Sequence, residues 1–160
     1  MISTEIPLIC DLLKRGEIVG IPTETVYGLA ANIHDEKAIG RIFQTKNRPH
    51  TNPLIVHVPS YHHAKELVTH FPEKAEILAK HFWPGPLTLI LPKKSTVSHV
   101  LTGGQPTVAI RIPNHPLTLQ VLTQLEFPLA APSANPYNRI SPTSAQQVDF
   151  YFPSIHTLDG

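Results

Sequence analysis

The chain has 160 residues, of which 41% are hydrophobic and 16% are charged, and its formal net charge at pH 7 is +1. A chain of this length is expected to form one domain with a substantial core, and the composition excludes an intrinsically disordered protein. The near-zero net charge argues against a strong general affinity for nucleic acid or acidic membranes, although a local basic patch is compatible with it.

The N-terminal third predicts a helix, a strand and a second helix. Apolar residues at helical spacing end at Gly16, and residues 17–22 follow as a short strand. Asp35 is expected to cap the second helix. The apolar residues on one face of that helix are Ala38, Ile39, Ile42 and Phe43.

The rest of the chain continues this alternation. The predicted strands are 53–58, 87–91, 107–113, 128–132 and 155–158, with a turn at Gly103 and Gly104. The predicted helices are 60–71, 72–82, 115–125 and 141–151, and the last of these begins with Ser141 as its cap and a proline at the first helical position. Alternating helices and strands predict an α/β fold, a sheet covered by helices.

The single cysteine and the N-terminal segment help to predict the cellular compartment of the protein. Cys10 is the only cysteine, so no disulfide can form within the chain, and a reducing compartment is expected. The run "MISTEIPLICDLLKRG" carries acidic residues within its apolar stretch and lacks a small-residue cleavage pattern. We therefore predict no signal peptide, no transmembrane helix and a cytoplasmic protein.

The segment "TKNRPHTNPLIVHV" leads from basic residues into an apolar strand. Arg48 precedes Pro49, which favours an extended conformation, and residues two apart in an extended chain point to the same side. Lys46 and Arg48 are therefore expected to reach one target, and two converging cations favour a phosphate or a carboxylate. The alternative is a solvated helix end, where Lys and Arg favour the C-terminal dipole, and the motif taken alone favours this alternative.

The segment "APSANP" follows a predicted apolar strand. Ser133 and Asn135 lie two residues apart, and Asn135 precedes Pro136, so both side chains are expected to project together from a loop. They could hold a phosphate oxygen or a ribose, or they could cap a turn. In isolation the turn is favoured, because Ser and Asn beside prolines usually mark turns.

The strand "TVAIRIP" contains an arginine flanked by apolar residues. Val108, Ile110 and Ile112 face one side, and Thr107, Ala109 and Arg111 face the other. This pattern predicts a buried or cleft-facing Arg111 that needs a carboxylate or a phosphate, and an internal acid could be Glu24 or Asp149. The alternative is a surface arginine on an edge strand.

Threonines and histidines offer weaker signals. Thr23 and Thr25 would share one side of an extended "PTET" segment and could bind a small polar ligand, although threonine is also an ordinary strand former. The chain has ten histidines but no metal-binding spacing, so no metal site is predicted. His57 interrupts an apolar strand, where a satisfied core histidine is more frequent than a ligand.

Together these segments resemble one family. In order, "IPTETVYGLAAN", "KNRPHTNPLIVHV", "WPGPLTLIL", "TVAIRIPNHP" and "APSANPYNRISPT" look like the motifs of the YrdC-like threonylcarbamoyl-AMP synthases, from Ile21 to Thr143. The resemblance implies a YrdC-like twisted mixed β-sheet flanked by helices, with a concave, positively charged ligand-binding face.

The resemblance also implies an activity, that of a nucleotidyltransferase. The family condenses L-threonine, bicarbonate and ATP into threonylcarbamoyl-AMP and releases pyrophosphate, and Mg²⁺ is expected with ATP. Separate transferase proteins then use the product to modify an adenosine beside the anticodon of certain tRNAs.

Matching the motifs residue by residue implies two groups of contacts. The implied ATP contacts are Lys46, Arg48, Asn52, Thr107, Ser133, Asn135 and Ser141. The implied threonine contacts are Thr25, His57, Arg111 and the backbone of Ala131. Lys46 and Arg48 are the expected catalytic cations, since an anionic carbamate attacking an α-phosphate needs positive charge to offset the repulsion.

The chain departs from the family pattern at three places. Asn47 stands where the family commonly has Gly, and Thr51 where it often has Asp. The family's domain also continues past "LDG" with a strand and a later arginine that complete both sites. We therefore expect residues 1–160 to be a single YrdC-like domain that lacks its C-terminal strands.

Two alternatives to this enzyme stay open. One is an RNA-binding module in which the concave face weakly holds tRNA or double-stranded RNA, although the net charge and the absence of stacking aromatic motifs argue against sequence-specific recognition. The other is a YrdC-like paralogue that acts on another amine, against which Thr25, His57 and Arg111 together favour threonine.

Overall fold

The computed structural model describes residues 1–160 and contains one eight-stranded sheet and six helices. The strands are β1 (Ile2–Ser3), β2 (Val19–Ile21), β3 (Gly28–Asn32), β4 (Ile55–His57), β5 (Leu89–Pro92), β6 (Thr107–Arg111), β7 (Leu129–Ala130) and β8 (Thr157–Leu158). The helices are α1 (Ile6–Lys14), α2 (Glu36–Lys46), α3 (Tyr61–Glu66), α4 (Glu73–Phe82), α5 (Pro116–Gln124) and α6 (Ala145–Tyr151).

The sheet is mixed, with strand order β1-β8-β2-β3-β7-β4-β6-β5. The pairs β1–β8, β2–β8 and β4–β6 are parallel, and the pairs β2–β3, β3–β7, β4–β7 and β5–β6 are antiparallel. A mixed sheet with flanking helices confirms the predicted α/β fold class.

Two apolar clusters lie on opposite faces of the sheet, because successive strand residues point to opposite sides. On β3, Leu29 and Ala31 belong to a cluster of 29 buried residues, whereas Ala30 belongs to a cluster of 12. Helices α2, α3, α4 and α6 contribute to the larger cluster, and α1 and α5 to the smaller one.

The face covered by α1 and α5 is left open over β4 and β6. Val56, Val108 and Ile110 point into the larger cluster, but Ile55 and Ala109 on the opposite face belong to neither cluster and are only partly buried. This uncovered part of the sheet is where polar side chains gather.

Helix α2 begins at its predicted cap, Asp35, and ends in a left-handed turn at Asn47. The Asp35 side chain accepts hydrogen bonds from the backbone N–H groups of Lys37 and Ala38, as an N-cap does. Asn47 ends the helix in the left-handed conformation, with φ of 51°. Gly and Asn are the residues that adopt this conformation most readily, so Asn47 suits the turn that ends the helix.

Two predicted helices differ from the structure, and two strands were not predicted. Helix α3 ends at Glu66 rather than near residue 71, because Val68 leaves the helix and forms a β-bridge with Lys93. Helix α6 is capped by Ser144 rather than by Ser141, since the carbonyl of Pro142 accepts a hydrogen bond from the N–H of Tyr27 before the helix begins. Strands β1 and β3 were not predicted.

Candidate active site

A cleft of about 260 Å³ opens on the uncovered part of the sheet. The residues that line it are Thr23, Thr25, Val26, Gly28, Arg48, Pro53, Ile55, His57, Arg111, Ala131, Pro132 and Ser133. A larger cavity of about 670 Å³ lies between α1, α2 and residues 152–156, and none of the predicted site residues lines it. Convergence of polar groups, rather than size, marks the smaller cleft as the candidate site.

The parallel pairing of β4 and β6 sets the long direction of the cleft. His57 pairs with Arg111 at the C-terminal ends of the two strands, and Ile55 pairs with Ala109. Arg48 and Pro53 come before β4, so they lie towards the N-terminal ends. The cleft therefore has one cationic side chain, Arg111, at one end and another, Arg48, at the other.

Arg111 is held on three sides. Its Nε donates to the carbonyl of Gly85 at 3.2 Å, and its Nη2 donates to Glu24 Oε1 at 2.6 Å and to Thr25 Oγ1 at 3.2 Å. The Arg111 and Glu24 side chains are 10% and 19% exposed. Of the two candidate acids, Glu24 is thus the partner, whereas Asp149 binds the N-terminal amine.

The position of β6 excludes the alternative of an edge-strand arginine. Strand β6 lies between β4 and β5, and Arg111 is buried in the cleft floor. Burial alone would raise the pKa of Glu24, but the hydrogen bond and the charge of Arg111, together with backbone N–H groups, lower that pKa below its usual value. The Glu24 carboxylate is therefore ionised at neutral pH.

His57 lies beside Arg111 as a neutral ring. It is 2% exposed, and its Nδ1 has no hydrogen-bond partner. Burial, together with the neighbouring charge of Arg111, lowers the pKa of His57 to about 4. A buried polar atom without a hydrogen-bond partner is uncommon in folded proteins, which marks this ring as a candidate functional group.

The loop before β3 presents the threonine hydroxyls. Thr23 Oγ1 donates to the carbonyl of Val26 at 2.7 Å and accepts from the N–H groups of Thr25 and Val26. It also lies 3.0 Å from Thr25 Oγ1. The two threonines share one side, as predicted, but Thr23 stabilises the turn while Thr25 contacts Arg111.

Arg48 is fixed at the other end by backbone oxygen atoms. Its Nε donates to the carbonyl of Asn52 at 3.1 Å, and its Nη2 to that of Pro53 at 2.9 Å. Its guanidinium carbon lies 5.8 Å from the centre of the Tyr137 ring, and Tyr137 in turn accepts a hydrogen bond from Asn52 Nδ2. Sequence reasoning missed Tyr137, although it stands within the "APSANPYNR" segment.

Lys46 does not accompany Arg48, so the geometric reason given for the pair was wrong. Lys46 is the last residue of α2, and the left-handed Asn47 turns the chain before Arg48. The Lys46 side chain is 1% exposed and donates to the carbonyls of Ser133 and Asn135. Burial and the nearby Arg48 lower the pKa of Lys46 to about 8.

Ser133 and Asn135 also diverge, contrary to the prediction that they project together. Ser133 lines the cleft, but Asn135 is 5% exposed and lies under the loop. Its Nδ2 donates to the carbonyls of Pro136 and Arg139, both at 2.8 Å. The turn-stabilising alternative therefore describes Asn135, because the chain bends at residues 134–136, directly after the β-bridge of Ser133 with Gly28.

The other predicted residues divide into those in the cleft and those outside it. Ala131 lines the cleft beside β4, where its N–H donates to the carbonyl of Ile55 at 2.9 Å. Thr107 lies next to Pro53 by strand register, at the opposite end of β6 from Arg111. Ser141 lines a separate cavity with Ile140 and Phe150.

Six predicted site residues thus meet in the cleft, and five do not line it. The first group comprises Thr25, Arg48, His57, Arg111, Ala131 and Ser133. The second comprises Lys46, Asn52, Thr107, Asn135 and Ser141.

Metal-binding side chains do not gather in this structure. It has no group of three or more His, Cys, Asp or Glu residues placed to hold a metal ion. None of its six helices has the length and apolar character needed to cross a membrane.

The chain belongs to the Sua5/YciO/YrdC family, whose model, described as telomere recombination, matches residues 11–158. It is 49% identical over 158 residues to the threonylcarbamoyl-AMP synthase of Pyrococcus abyssi, covering 98% of this chain and 46% of that protein. It is 47% identical over 163 residues to the threonylcarbamoyl-AMP synthase of Bacillus subtilis, covering 99% of this chain and 45% of that protein.

A solved relative has the same fold. The structure of P. abyssi Sua5 complexed with L-threonine superposes with a TM-score of 0.94 at 48% identity, covering 97% of this chain and 46% of the other. The chain therefore spans about half the length of the relatives it matches, 46% and 45% of the two synthases.

Proposed function

We propose that this protein forms threonylcarbamoyl-AMP and pyrophosphate from L-threonine, bicarbonate and ATP, with the reaction taking place in the cleft. One observation carries the proposal: Arg48 and Arg111 are fixed at opposite ends of a single cleft, beside the neutral His57. The matched relatives are named threonylcarbamoyl-AMP synthase, and a solved relative is complexed with L-threonine.

The Arg111 end suits an amino acid. The threonine carboxylate would pair with the guanidinium of Arg111, because Arg offers charged N–H donors that suit a carboxylate. Thr25 and the His57 ring would bind the amine or the hydroxyl of the substrate, with the backbone of Ala131 alongside. A neutral His57 can approach a cationic ammonium group without repelling it.

The Arg48 end suits the phosphates of ATP. Arg48 and Ser133 line this part of the cleft and would contact the nucleotide directly. Lys46 would act through the loop that carries Ser133 and Asn135, whose carbonyls it holds. The remaining proposed ATP contacts, outside the cleft lining, are Asn52, Thr107 and Ser141.

The chemistry requires placement and charge compensation rather than a covalent intermediate. The unprotonated threonine amine attacks bicarbonate, and water leaves to give a carbamate. A carbamate oxygen then attacks the α-phosphate, and pyrophosphate leaves. Both partners in the second step are anionic, so the fixed guanidinium groups would offset their repulsion, and holding the reactants together lowers the barrier further.

A Mg²⁺ ion would travel with the triphosphate rather than occupy a site built by the protein. Glu24 is the only carboxylate that contacts the cleft cations; its oxygens accept hydrogen bonds from Arg111 and from the N–H of Asn114, and no cluster of metal-binding side chains surrounds it. Phosphates and water commonly supply most Mg²⁺ ligands in nucleotide sites. No step of the proposed reaction therefore depends on a protein-held metal.

The proposed product also defines the expected partners and compartment. A mixed anhydride of a carbamate and AMP is an activated acyl donor, so a transferase must consume it. We propose tRNA-modifying transferase proteins in the cytoplasm, where the single Cys10 would stay reduced.

The test is release of pyrophosphate by the purified protein. We expect release only when ATP, L-threonine and bicarbonate are all present, and little release when glycine replaces threonine. Release that is independent of threonine, or no release from a protein that also binds neither ATP nor threonine, would contradict the proposal. Salt-dependent tRNA binding without affinity for either substrate would support the RNA-binding alternative instead.

A further inference from the structure

Glu24 makes two contacts that join separate parts of the cleft. Its Oε1 accepts from Arg111 Nη2 at 2.6 Å, and its Oε2 accepts from the backbone N–H of Asn114 at 3.0 Å. Each oxygen thus accepts one hydrogen bond from the protein, and the carboxylate links the Arg111 side chain to the backbone at Asn114. Its position fixes the groups around it.

The consequence for Arg111 follows from a count of its donors. A guanidinium has five N–H groups, one on Nε and two on each terminal nitrogen. Nε is used by Gly85, and the two hydrogens of Nη2 are used by Glu24 and Thr25. Nη1 makes no hydrogen bond within the protein, so it is the terminal nitrogen left for a ligand.

We propose that Glu24 is a positioning residue that orients Arg111 so that Nη1 alone receives the carboxylate of the amino-acid substrate. This inference rests on the proposed function for the identity of the substrate. It adds a residue that the family resemblance does not include among the site residues, and it defines an end-on rather than a forked contact between Arg111 and the carboxylate.

A competing role for Glu24 makes the opposite prediction. If the Glu24 carboxylate occupied the place of the substrate carboxylate, threonine would have to displace it, and removing it would tighten threonine binding. The bond from Glu24 to Asn114 argues against this role, because displacement would leave that backbone N–H without its acceptor.

The experiment compares Glu24→Ala and Glu24→Gln with the wild type. We expect Glu24→Ala to weaken threonine binding at least tenfold while ATP affinity changes less than twofold. Glu24→Gln keeps one acceptor oxygen and should lose less threonine affinity than Glu24→Ala. Glu17→Gln is the matched control, since Glu17 also pairs with an arginine, Arg41, but at an exposed site away from the cleft.

Two results would overturn the inference. One is threonine affinity that is unchanged or increased in Glu24→Ala. The other is equal loss of threonine and ATP affinity in both Glu24 variants. If Glu24→Ala does not fold, Glu24→Gln decides by the same comparison of the two affinities.

A second readout separates this inference from the proposed function. The ¹⁵Nε–¹Hε resonance of Arg111 in the ligand-free protein should shift and lose protection from exchange in either Glu24 variant, but not in Glu17→Gln. An unchanged resonance would show that Glu24 does not fix Arg111. If the wild type binds no threonine, the proposed function fails, and this resonance still decides whether Glu24 orients Arg111.

Discussion

Arg48 and Arg111 are both fixed by the protein before any ligand is present. Arg48 is held by the carbonyls of Asn52 and Pro53, whereas Arg111 is held by one carbonyl, one carboxylate and one hydroxyl. Long side chains lose rotamer freedom when they bind, and fixing them beforehand reduces that cost. The two cations are therefore suited to recognise separate anionic groups.

Replacing Arg48 tests whether Arg48 and Arg111 bind different substrates. We expect Arg48→Ala to weaken ATP binding by about tenfold or more, the effect of losing a charge-assisted hydrogen bond, and to change threonine binding little. Titration calorimetry with each substrate measures both affinities. Arg139→Ala is the control, since it removes an exposed arginine whose backbone carbonyl, rather than its side chain, contacts Asn135. Equal losses of ATP affinity and threonine affinity would contradict the assignment of ATP to Arg48 and of threonine to Arg111.

The direction of individual side chains was the least predictable part of the site. The sequence identified Lys46, Arg48, Ser133 and Asn135 as notable polar residues, but not which of them face the cleft. That outcome depends on the left-handed turn at Asn47 and on the carbonyls that receive Lys46. Such contacts between distant segments leave no pattern in the local sequence.

At the level of elements, the strands most easily predicted were the apolar ones. The runs around β4 and β6 are rich in Val and Ile, which favour strands. Strand β3 has the sequence "GLAAN", and Gly, Ala and Asn are depleted in strands, so its strand character comes from pairing with β2 and β7. The serine cap of α6 was misplaced because "SPTS" offers two serines.

The end of α2 gives a prediction at this level. Asn47 has φ of 51°, a region that costs most L-residues roughly 1–2 kcal/mol. We expect Asn47→Ala to lower the free energy of unfolding by about 1 kcal/mol, and Asn47→Gly to keep it within about 0.5 kcal/mol of the wild type or raise it. Urea denaturation measures both, with Gln44→Ala on the exposed side of α2 as the control. A greater loss for Gly than for Ala would contradict the structure at this turn.

For the whole molecule, one sheet brings together residues far apart in sequence. The antiparallel pairs β2–β3, β3–β7 and β4–β7 bring Thr25, Ala131 and His57 to one face, and the parallel β4–β6 pair adds Arg111. The helix–strand alternation predicted a sheet of this class, but not its strand order. The family resemblance supplied the grouping that periodicity alone could not.

Burial of His57 makes global stability depend on pH. Its pKa is about 4 in the folded protein and about 6.5 in the unfolded chain. Between these values the unfolded chain binds a proton that the folded protein does not, so stability falls as pH decreases from about 6.5 to 4, by about 1.4 kcal/mol per pH unit. Above pH 6.5 this residue contributes no pH dependence.

The His57→Gln variant isolates this contribution from those of the other titrating groups. Its free energy of unfolding should fall less steeply than that of the wild type over the same pH interval, whatever its stability at pH 7. Denaturation curves at several pH values between 4 and 7 measure the two slopes. Identical slopes would show that His57 is protonated at the same pH in the folded and unfolded states.

The most direct test of the account is a calorimetric titration of this 160-residue chain with L-threonine. We predict saturable binding at one site, which Arg111→Ala weakens strongly and Arg48→Ala leaves nearly unchanged. Absence of saturable binding to the wild-type chain, or binding that Arg111→Ala leaves unaltered, would contradict the assignment of threonine to the Arg111 end of the cleft.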